Sequence, residues 1–439
     1  MASPEVKTPA VSLSLTGPQW GVVFVVAALQ FVNILDFVIV MPIGPRLAQA
    51  LDFPASHLPW LNGSYTATAS VMGLLGALFL DRFDRRKAVG VAVAGLVIGT
   101  ALCGLAESFT TLLIARSVAG AFGGPATSLC FAIIADTIPN HVRGKAMGTV
   151  MGAFSVASVF GVPTGLWMAE HFGWEAPFFT VAALGSAVLV VSIFLLPPLT
   201  GHLGAPRRTV TDIFALLSER NVQLSYLMTA VVMSAGFVLI PNIASYLQFN
   251  LGVPEGHIKY AYLFGGMASF LATQLGGRLV DRLGSFRVGT AGTLLVIGVI
   301  FVFFYLPRQV LASSMVFLAF GGFMLAQGLR NVSYNTLTTK VPDAPRRATF
   351  QSLQSAVQHA AASVAAFGSG LLLTEVVRSP LPTDVPGRPA RMLVGMDTVS
   401  VVSMVMSLSI PLLLFLVERR VVPQPVASPV GPVPERPAA

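Results

Sequence analysis

Apolar runs of about twenty residues recur along the chain, separated by short polar turns. Crossing the roughly 30 Å hydrocarbon layer of a bilayer takes about 20 helical residues, so each run reads as one spanning helix. The pattern predicts spans at 20–43, 59–80, 88–106, 110–135, 146–169 and 176–197. A second set follows at 221–249, 258–280, 288–306, 310–337, 348–376 and 396–417. Two polar turns hold equivalent places in the two sets: Asp81-Arg-Phe-Asp-Arg-Arg-Lys87 and Gly277-Arg-Leu-Val-Asp-Arg-Leu-Gly-Ser-Phe-Arg287. Their aspartates, Asp81 and Asp281, lie 200 residues apart (81 to 281), near half the chain. A duplicated set of membrane helices is the sequence signature of a secondary transporter. The predicted fold class is therefore an all-α membrane protein of 12 transmembrane helices in two pseudo-symmetric six-helix bundles, residues 20–198 and 221–418.

The segments outside the bundles read differently. Residues 1–19 form an N-terminal tail, and 199–220 a linker in which Thr211 or Asp212 caps a short amphipathic helix. Residues 419–439 are Pro-rich without apolar periodicity, which predicts a disordered tail. The first apolar run, Val22 to Met41, exceeds a signal-peptide core and is expected to remain as the first span.

Composition narrows the class. Of 439 residues, 54% are hydrophobic and only 10% charged, against about 25% charged in soluble proteins. With a mean hydropathy of +0.76, the bilayer is the only solvent able to cover this surface. The net charge of +8 suggests nucleic acid until position is considered. Of the 27 Lys and Arg, 19 fall on the tails and loops of one side, 6 on the other and 2 inside helices. That asymmetry places both termini in the cytoplasm of a plasma membrane, expected to be a bacterial inner membrane. Acidic lipids then suit the basic turns, and no nucleic-acid partner is expected. Cys103 and Cys130 lie in apolar runs as small buried residues, not as a disulfide. Neither a Gly-x-x-x-x-Gly-Lys-Ser/Thr loop nor a His-Glu-x-x-His motif occurs. The expectation is a non-enzyme, acting as a monomer, that uses a proton gradient and neither a metal nor another cofactor.

A charge inside a spanning helix is costly and faces a cavity or a partner. Asp36 lies 14 residues beyond Val22, about 21 Å along the first helix. Arg116 lies roughly 6 Å inside the opposite end of the fourth, so the two share a depth. A nearby cation favours an ionised carboxylate and desolvation disfavours it, so Asp36 suits a proton carrier tuned by Arg116. A permanent ion pair locking two helices is the alternative. His359 sits beside Gln354 and Gln358 and reads first as a packing residue. Arg330 either snorkels toward the cytoplasmic end or joins Asn331 and Asn335 in a polar vestibule lining. Asp81 and Asp281 are expected to meet a helix N-terminus or a loop arginine such as Arg143 or Arg346. Glycines four apart (Gly120 and Gly124, Gly148 and Gly152, Gly161 and Gly165) suit close helix packing.

Together these residues resemble the major facilitator superfamily, and its twelve-helix drug:proton antiporter branch, over about residues 18–417. Gly277-Arg-Leu-Val-Asp281-Arg282-Leu-Gly284 is similar to the loop signature of that family. The first-half copy keeps Asp81-Arg82 and Arg85-Arg86-Lys87, with Ala77 and Asp84 in place of glycines. Arg116-Ser-Val-Ala-Gly120 is similar to the branch's Arg-x-x-x-Gly element, whose arginine is tied to proton handling. Pro139 to Gly148, with Arg143, looks like the turn into the fifth helix, and Gly161-Val-Pro163-Thr-Gly165 resembles the antiporter bend. That bend departs from Gly-Pro by one Val, and Glu175 stands where Arg is common. Leu35-Asp36-Phe-Val-Ile-Val-Met-Pro42 resembles the branch's first-helix element.

The resemblance implies that the first, fourth, seventh and tenth helices line a central cavity, with alternating access between the bundles. It implies gating roles for Asp81, Arg82, Arg85, Arg143, Asp281, Arg282 and Gly284. For Gly161, Pro163 and Gly165 it implies a bend packed against the other half. Asn33, Phe37, Phe122, Asn242, Tyr246 and Gln327 are candidate substrate contacts on those helices. The leading reading is a proton-coupled exporter of small amphipathic molecules, drug or metabolite. The alternative is a sugar or metabolite importer or exchanger of the same fold.

Overall fold

The structure, a computed structural model, describes residues 15–200, 203, 210–305, 313–343, 346–377 and 391–421. The Pro-rich tail expected to be disordered lies outside these residues from position 422 on, as does most of the N-terminal tail. The first bundle holds α1 (Gly17–Ala50), α2 (Leu58–Phe79), α3 (Arg85–Gly104) and α4 (Phe109–Thr137). Its α5 runs from Asn140–Val156 through a π-helical turn, Ala157–Gly161, into Val162–Phe172, and α6 is Ala176–Leu195. The second bundle begins with α7, Arg220–Phe237, which breaks at a 3-10 turn, Ile240–Asn242. It resumes through Ile243–Ser245 and a π-helical turn, Tyr246–Asn250. Then come α8 (Glu255–Leu283), α9 (Ser285–Tyr305), α10 (Ser313–Thr338), α11 (Arg347–Leu372) and α12 (Met396–Glu418). Both proline-containing breaks have one cause: Pro163 and Pro241 carry no backbone N–H, so the hydrogen-bond register shifts around them.

Among the described residues, nine helical stretches are long and apolar enough to cross a membrane by composition alone. Helices α2, α8 and α11 are equally long but more polar. Each packs one face on the opposite bundle, α2 on α11 and α8 on α5, and keeps apolar side chains such as Val71, Phe264 and Val364 exposed on another. Across the α2–α11 seam Ser363 Oγ donates to the Gly63 carbonyl at 2.9 Å, and Ser70 Oγ to that of Ala356 at 2.8 Å. A Cβ at Gly370 would sit 2.2 Å from Trp60 Nε1, so only glycine fits there. On α8, a Cβ at Gly266 would lie 2.6 Å from the Ser158 carbonyl in the π turn of α5. That backbone approach is the tight α5–α8 contact between the halves.

The predicted role of the fifth-helix bend requires a correction. Gly161 and Gly165 do not face the other half; added Cβ atoms would strike Leu35 and Ile39 of α1 in their own bundle. The close backbone approach to the other half is made at Ser158 and Val159, one turn earlier. Among the other glycine pairs, Gly120 and Gly124 meet the α2 carbonyls of Tyr65 and Ala69, while Gly148 and Gly152 have no neighbour at that distance.

Loop ends differ from expectation in two places. The eleventh helix stops at Leu372, and Thr374–Val377 instead forms a strand, β1, antiparallel to β2, Arg391–Val394. In the linker, Val210–Leu217 is helical, so Thr211 and Asp212 lie inside its first turn and not at its cap. Its Ile213 and Leu216 pack against Val222, Tyr226, Phe350 and Leu353 of the second bundle. Two faces of the bundle are used below. The terminal face carries the first and last described residues and the residue 81–87 and 281–287 turns; the far face carries β1 and β2.

Candidate functional site

The site begins on α1. Asp36 and Arg116 are both fully buried, with an Nη1–Oδ2 distance of 3.1 Å. The same Nη1 donates to the Asp36 carbonyl at 3.2 Å, which ties the guanidinium to the α1 backbone as well. Thr100 of α3 donates its hydroxyl to Asp36 Oδ1 at 2.8 Å, so each carboxylate oxygen has its own donor. Below the guanidinium lies the Tyr65 ring of α2, 4.4 Å from Arg116 Cζ to the ring centroid. Such a cation over a ring is worth about 2 kcal/mol or more once desolvated. Four helices therefore converge on one buried charge pair. Arg116 Nε and Nη2 have no hydrogen-bond partner among the described residues.

A polar chain leads from this pair. Tyr65 Oη donates to Asn33 Oδ1 at 3.0 Å, and Asn33 Nδ2 reaches the Gly123 carbonyl at 3.0 Å and Thr127 Oγ1 at 2.6 Å. Gly123 is required here, since a Cβ would stand 2.2 Å from the Tyr65 hydroxyl. Phe37 tilts onto Tyr65, with centroids 5.3 Å apart, and meets Phe237 of the second bundle at 5.9 Å. The Phe37–Phe237 contact marks the seam between the halves.

The remaining predicted contacts distribute unevenly. Asn33 is buried and its amide is spent inside the first bundle. Phe122 is half-buried and packs over Gly95 of α3. Tyr246 points into its own bundle, donating to the Phe303 carbonyl at 3.2 Å and lying on Phe304, not toward the seam. Asn242 donates to Val238 O and Ser369 Oγ, both at 3.2 Å. Gln327 accepts from Arg330 one turn away. Thus Phe37 stands at the seam, while Tyr246 turned with the register shift at Pro241.

Arg330 is 1% exposed and does not snorkel. Asn335 donates to the Asn331 carbonyl at 2.9 Å. His359 Nδ1 lies 2.9 Å from the Ser355 carbonyl of its own helix, Gln358 reaches Tyr334 Oη and Gln354 reaches Thr338 Oγ1.

At the terminal-face turn, the cap on α3 is Asp84, which accepts from Arg86 N at 2.8 Å and Leu199 N at 3.1 Å. Arg85 is buried and paired with Asp136 at 3.2 Å, while Arg82, Asp281 and Arg282 are exposed. Arg143 donates to the Ala135 and Ile138 carbonyls at the end of α4, and Arg346 pairs with Glu219. Gly284, with φ +87°, turns the chain between α8 and α9. The Asp81 side chain lies outside the described atoms.

Sequence reasoning missed the far face. There Arg46 of α1 pairs with Glu255 of α8, and Lys259 Nζ lies 2.5 Å from Glu170 Oε2 of α5. Glu375 of β1 accepts from Ala55 N at 2.5 Å and pairs with Arg391 at 2.9 Å. These bonds join the two halves at one end. An acid or base at the end of a span was the available signal, but nothing in the sequence paired them.

The model of the Major Facilitator Superfamily matches residues 26–366. The chain belongs to this superfamily. It is a multi-pass membrane transporter. The chain is 23% identical over 349 residues to YceJ of Bacillus subtilis, an uncharacterized transporter of this type, covering 79% of this chain and 87% of that one. It is 25% identical over 291 residues to the purine ribonucleoside efflux pump NepI of Shigella sonnei, covering 65% of this chain and 71% of that one. A D-xylose-proton symporter shares the fold with a TM-score of 0.72 at 16% identity, covering 92% of this chain and 98% of that one.

Proposed function

We propose that this facilitator-superfamily transporter is a proton-driven exporter of small amphipathic molecules in a bacterial inner membrane. Its drug:proton antiporter traits are the motifs around Asp36, Arg116 and Pro163. The observation that carries the reading is the buried Asp36–Arg116 pair, one carboxylate with a separate donor on each oxygen. Arg116 is the counter-charge of this carboxylate, and a change that weakens their contact leaves a buried acid short of a cation, the place where a proton can serve instead. Both residues belong to the first bundle, so rocking does not itself part them; it changes what covers the pair, admitting water or substrate that competes for Arg116. Similarity to an efflux pump supports export, and a proton symporter of the same fold supports proton coupling. The positive charges on the terminal face support a cytoplasmic location for it, with the far face outward.

In this state the outer gate is shut by Arg46–Glu255, Lys259–Glu170 and Glu375–Ala55. The charged pairs there are 20–31% exposed, so each is worth about 0–1 kcal/mol. Arg46→Glu is expected to raise the outward-open population up to roughly fivefold, read as a longer spin-label distance across the far face. Adding Glu255→Arg restores the native distance. An unchanged distance in Arg46→Glu removes the gate assignment.

Direction is tested on the native protein in proteoliposomes, with a substrate found by a resistance screen in cells lacking their own exporters. An imposed pH gradient, acidic on the far-face side, drives substrate toward that side under antiport. Movement away from it means symport and defeats the export reading.

A further inference from the structure

The second buried arginine has no carboxylate. Arg330 of α10 is 1% exposed, and no ion pair to it occurs among the described residues. Its guanidinium reaches only neutral acceptors: Gln327 Oε1, the Val232 carbonyl of α7 at 3.5 Å and Ser407 Oγ of α12 at 3.5 Å. Bonds at 3.5 Å are at the weak limit, and Nε has no partner. A guanidinium stays charged at any physiological pH, so burial without an anion carries a large desolvation cost. Arg116 meets that cost with Asp36; Arg330 does not.

Space exists beside it. A Cβ at Gly236 of α7 would lie 3.4 Å from Gln327 Nε2 and 3.5 Å from Arg330 Nη2, so glycine leaves a methyl-sized gap over both groups. The next residue, Phe237, is the one that meets Phe37 across the seam. The cation thus sits one residue behind the line where the two halves part. A guanidinium with its Nε unpartnered and its bonds to Val232 and Ser407 at the weak limit matches an oxyanion better than a neutral group.

We infer that Arg330, with Gln327, binds the anionic group of the transported compound, a carboxylate or phosphate whose apolar body lies against Phe37 and Phe237. The inference rests on the transporter reading above. It divides the work between bundles: proton exchange at Asp36 in the first, anion recognition at Arg330 in the second.

The test uses purified full-length protein and three probes of one shape: 1-naphthoate, 1-naphthyl phosphate and 1-naphthamide. Thermal stabilisation by the carboxylate or the phosphate, and none by the amide, is expected; which of the two acts tells the oxyanion. Arg330→Gln is expected to weaken that binding roughly 10- to 100-fold, as loss of a hydrogen bond to a charged group does. Arg330→Met, free of the buried charge, is expected to unfold at the same temperature as the native protein or higher, with no response to the anions. Gly236→Val keeps the arginine, fills the gap and is expected to weaken anion binding likewise. Equal responses to all three probes, no response to any, or full anion binding by Arg330→Gln each overturns the proposal. A marked loss of thermal stability in Arg330→Met also overturns it, because that marks a structural cation. Failure of pH-driven transport with anion binding intact would instead count against the transporter reading alone.

Discussion

Asp36→Asn is expected to abolish pH-driven accumulation and, by leaving Arg116 buried without its anion, to lower the melting midpoint, while the protein that stays folded still exchanges substrate for substrate. Asparagine matches the shape of the protonated acid and still accepts from Thr100, but it has no proton to release. A one-unit pH difference is worth about 1.4 kcal/mol per proton, a tenfold accumulation at one proton per cycle. The variant's accumulation ratio should fall from about tenfold to one under that gradient. Counterflow of labelled substrate, which needs no net proton movement, should persist. Proton release on substrate addition, followed with a dye in detergent, should vanish. If accumulation and proton release both survive in Asp36→Asn, the carboxylate is not the carrier.

Arg116→Leu is expected to be among the most destabilising single changes in the first bundle. It removes the only ionic partner, among the described residues, of a fully buried carboxylate and the cation over the Tyr65 ring. Breaking a buried pair from one side costs about 3–5 kcal/mol, since it leaves the other charge uncompensated. The double change Asp36→Leu with Arg116→Leu removes both charges and should recover most of that loss. Arg116→Lys should fall between, keeping the charge but losing the flat stack. Thermal melting of the four proteins in one detergent decides the matter. A midpoint for Arg116→Leu equal to the native one would mean the pair contributes nothing to the fold.

The charge pair was legible because charges are so rare in spanning helices that two at one depth predict each other. Thr100 and Tyr65 were not, because a hydroxyl in a membrane helix ordinarily bonds its own backbone. The Thr100 hydroxyl also lies 2.8 Å from the Leu96 carbonyl, so its one hydrogen is shared between that acceptor and Asp36 Oδ1. Helix count and duplication followed from the spacing of apolar runs. Facing did not: one proline in α7 shifted the register enough to turn Tyr246 into its own bundle. The bend of α5 was visible, but the side it packed against was not, since small residues fit either neighbour. Cross-bundle bonds such as Ala55 to Glu375, 320 residues apart, leave no local trace.

The polar character of α2 bears on how the chain is made. Buried Asn62, Ser64 and Thr66 lie on this helix, and its partner across the seam, α11, emerges from the ribosome hundreds of residues later. Until then α2 is held in the bilayer by α1 and α4 of its own half. The Ser64 and Thr66 hydroxyls bond carbonyls of their own helix, but Asn62 Oδ1 has no partner among the described residues, and such a group resists entry into hydrocarbon. Biogenesis therefore favours assembly of the first six helices before the last ones insert. Truncation after residue 200 is the natural way to trap that half-built nascent form.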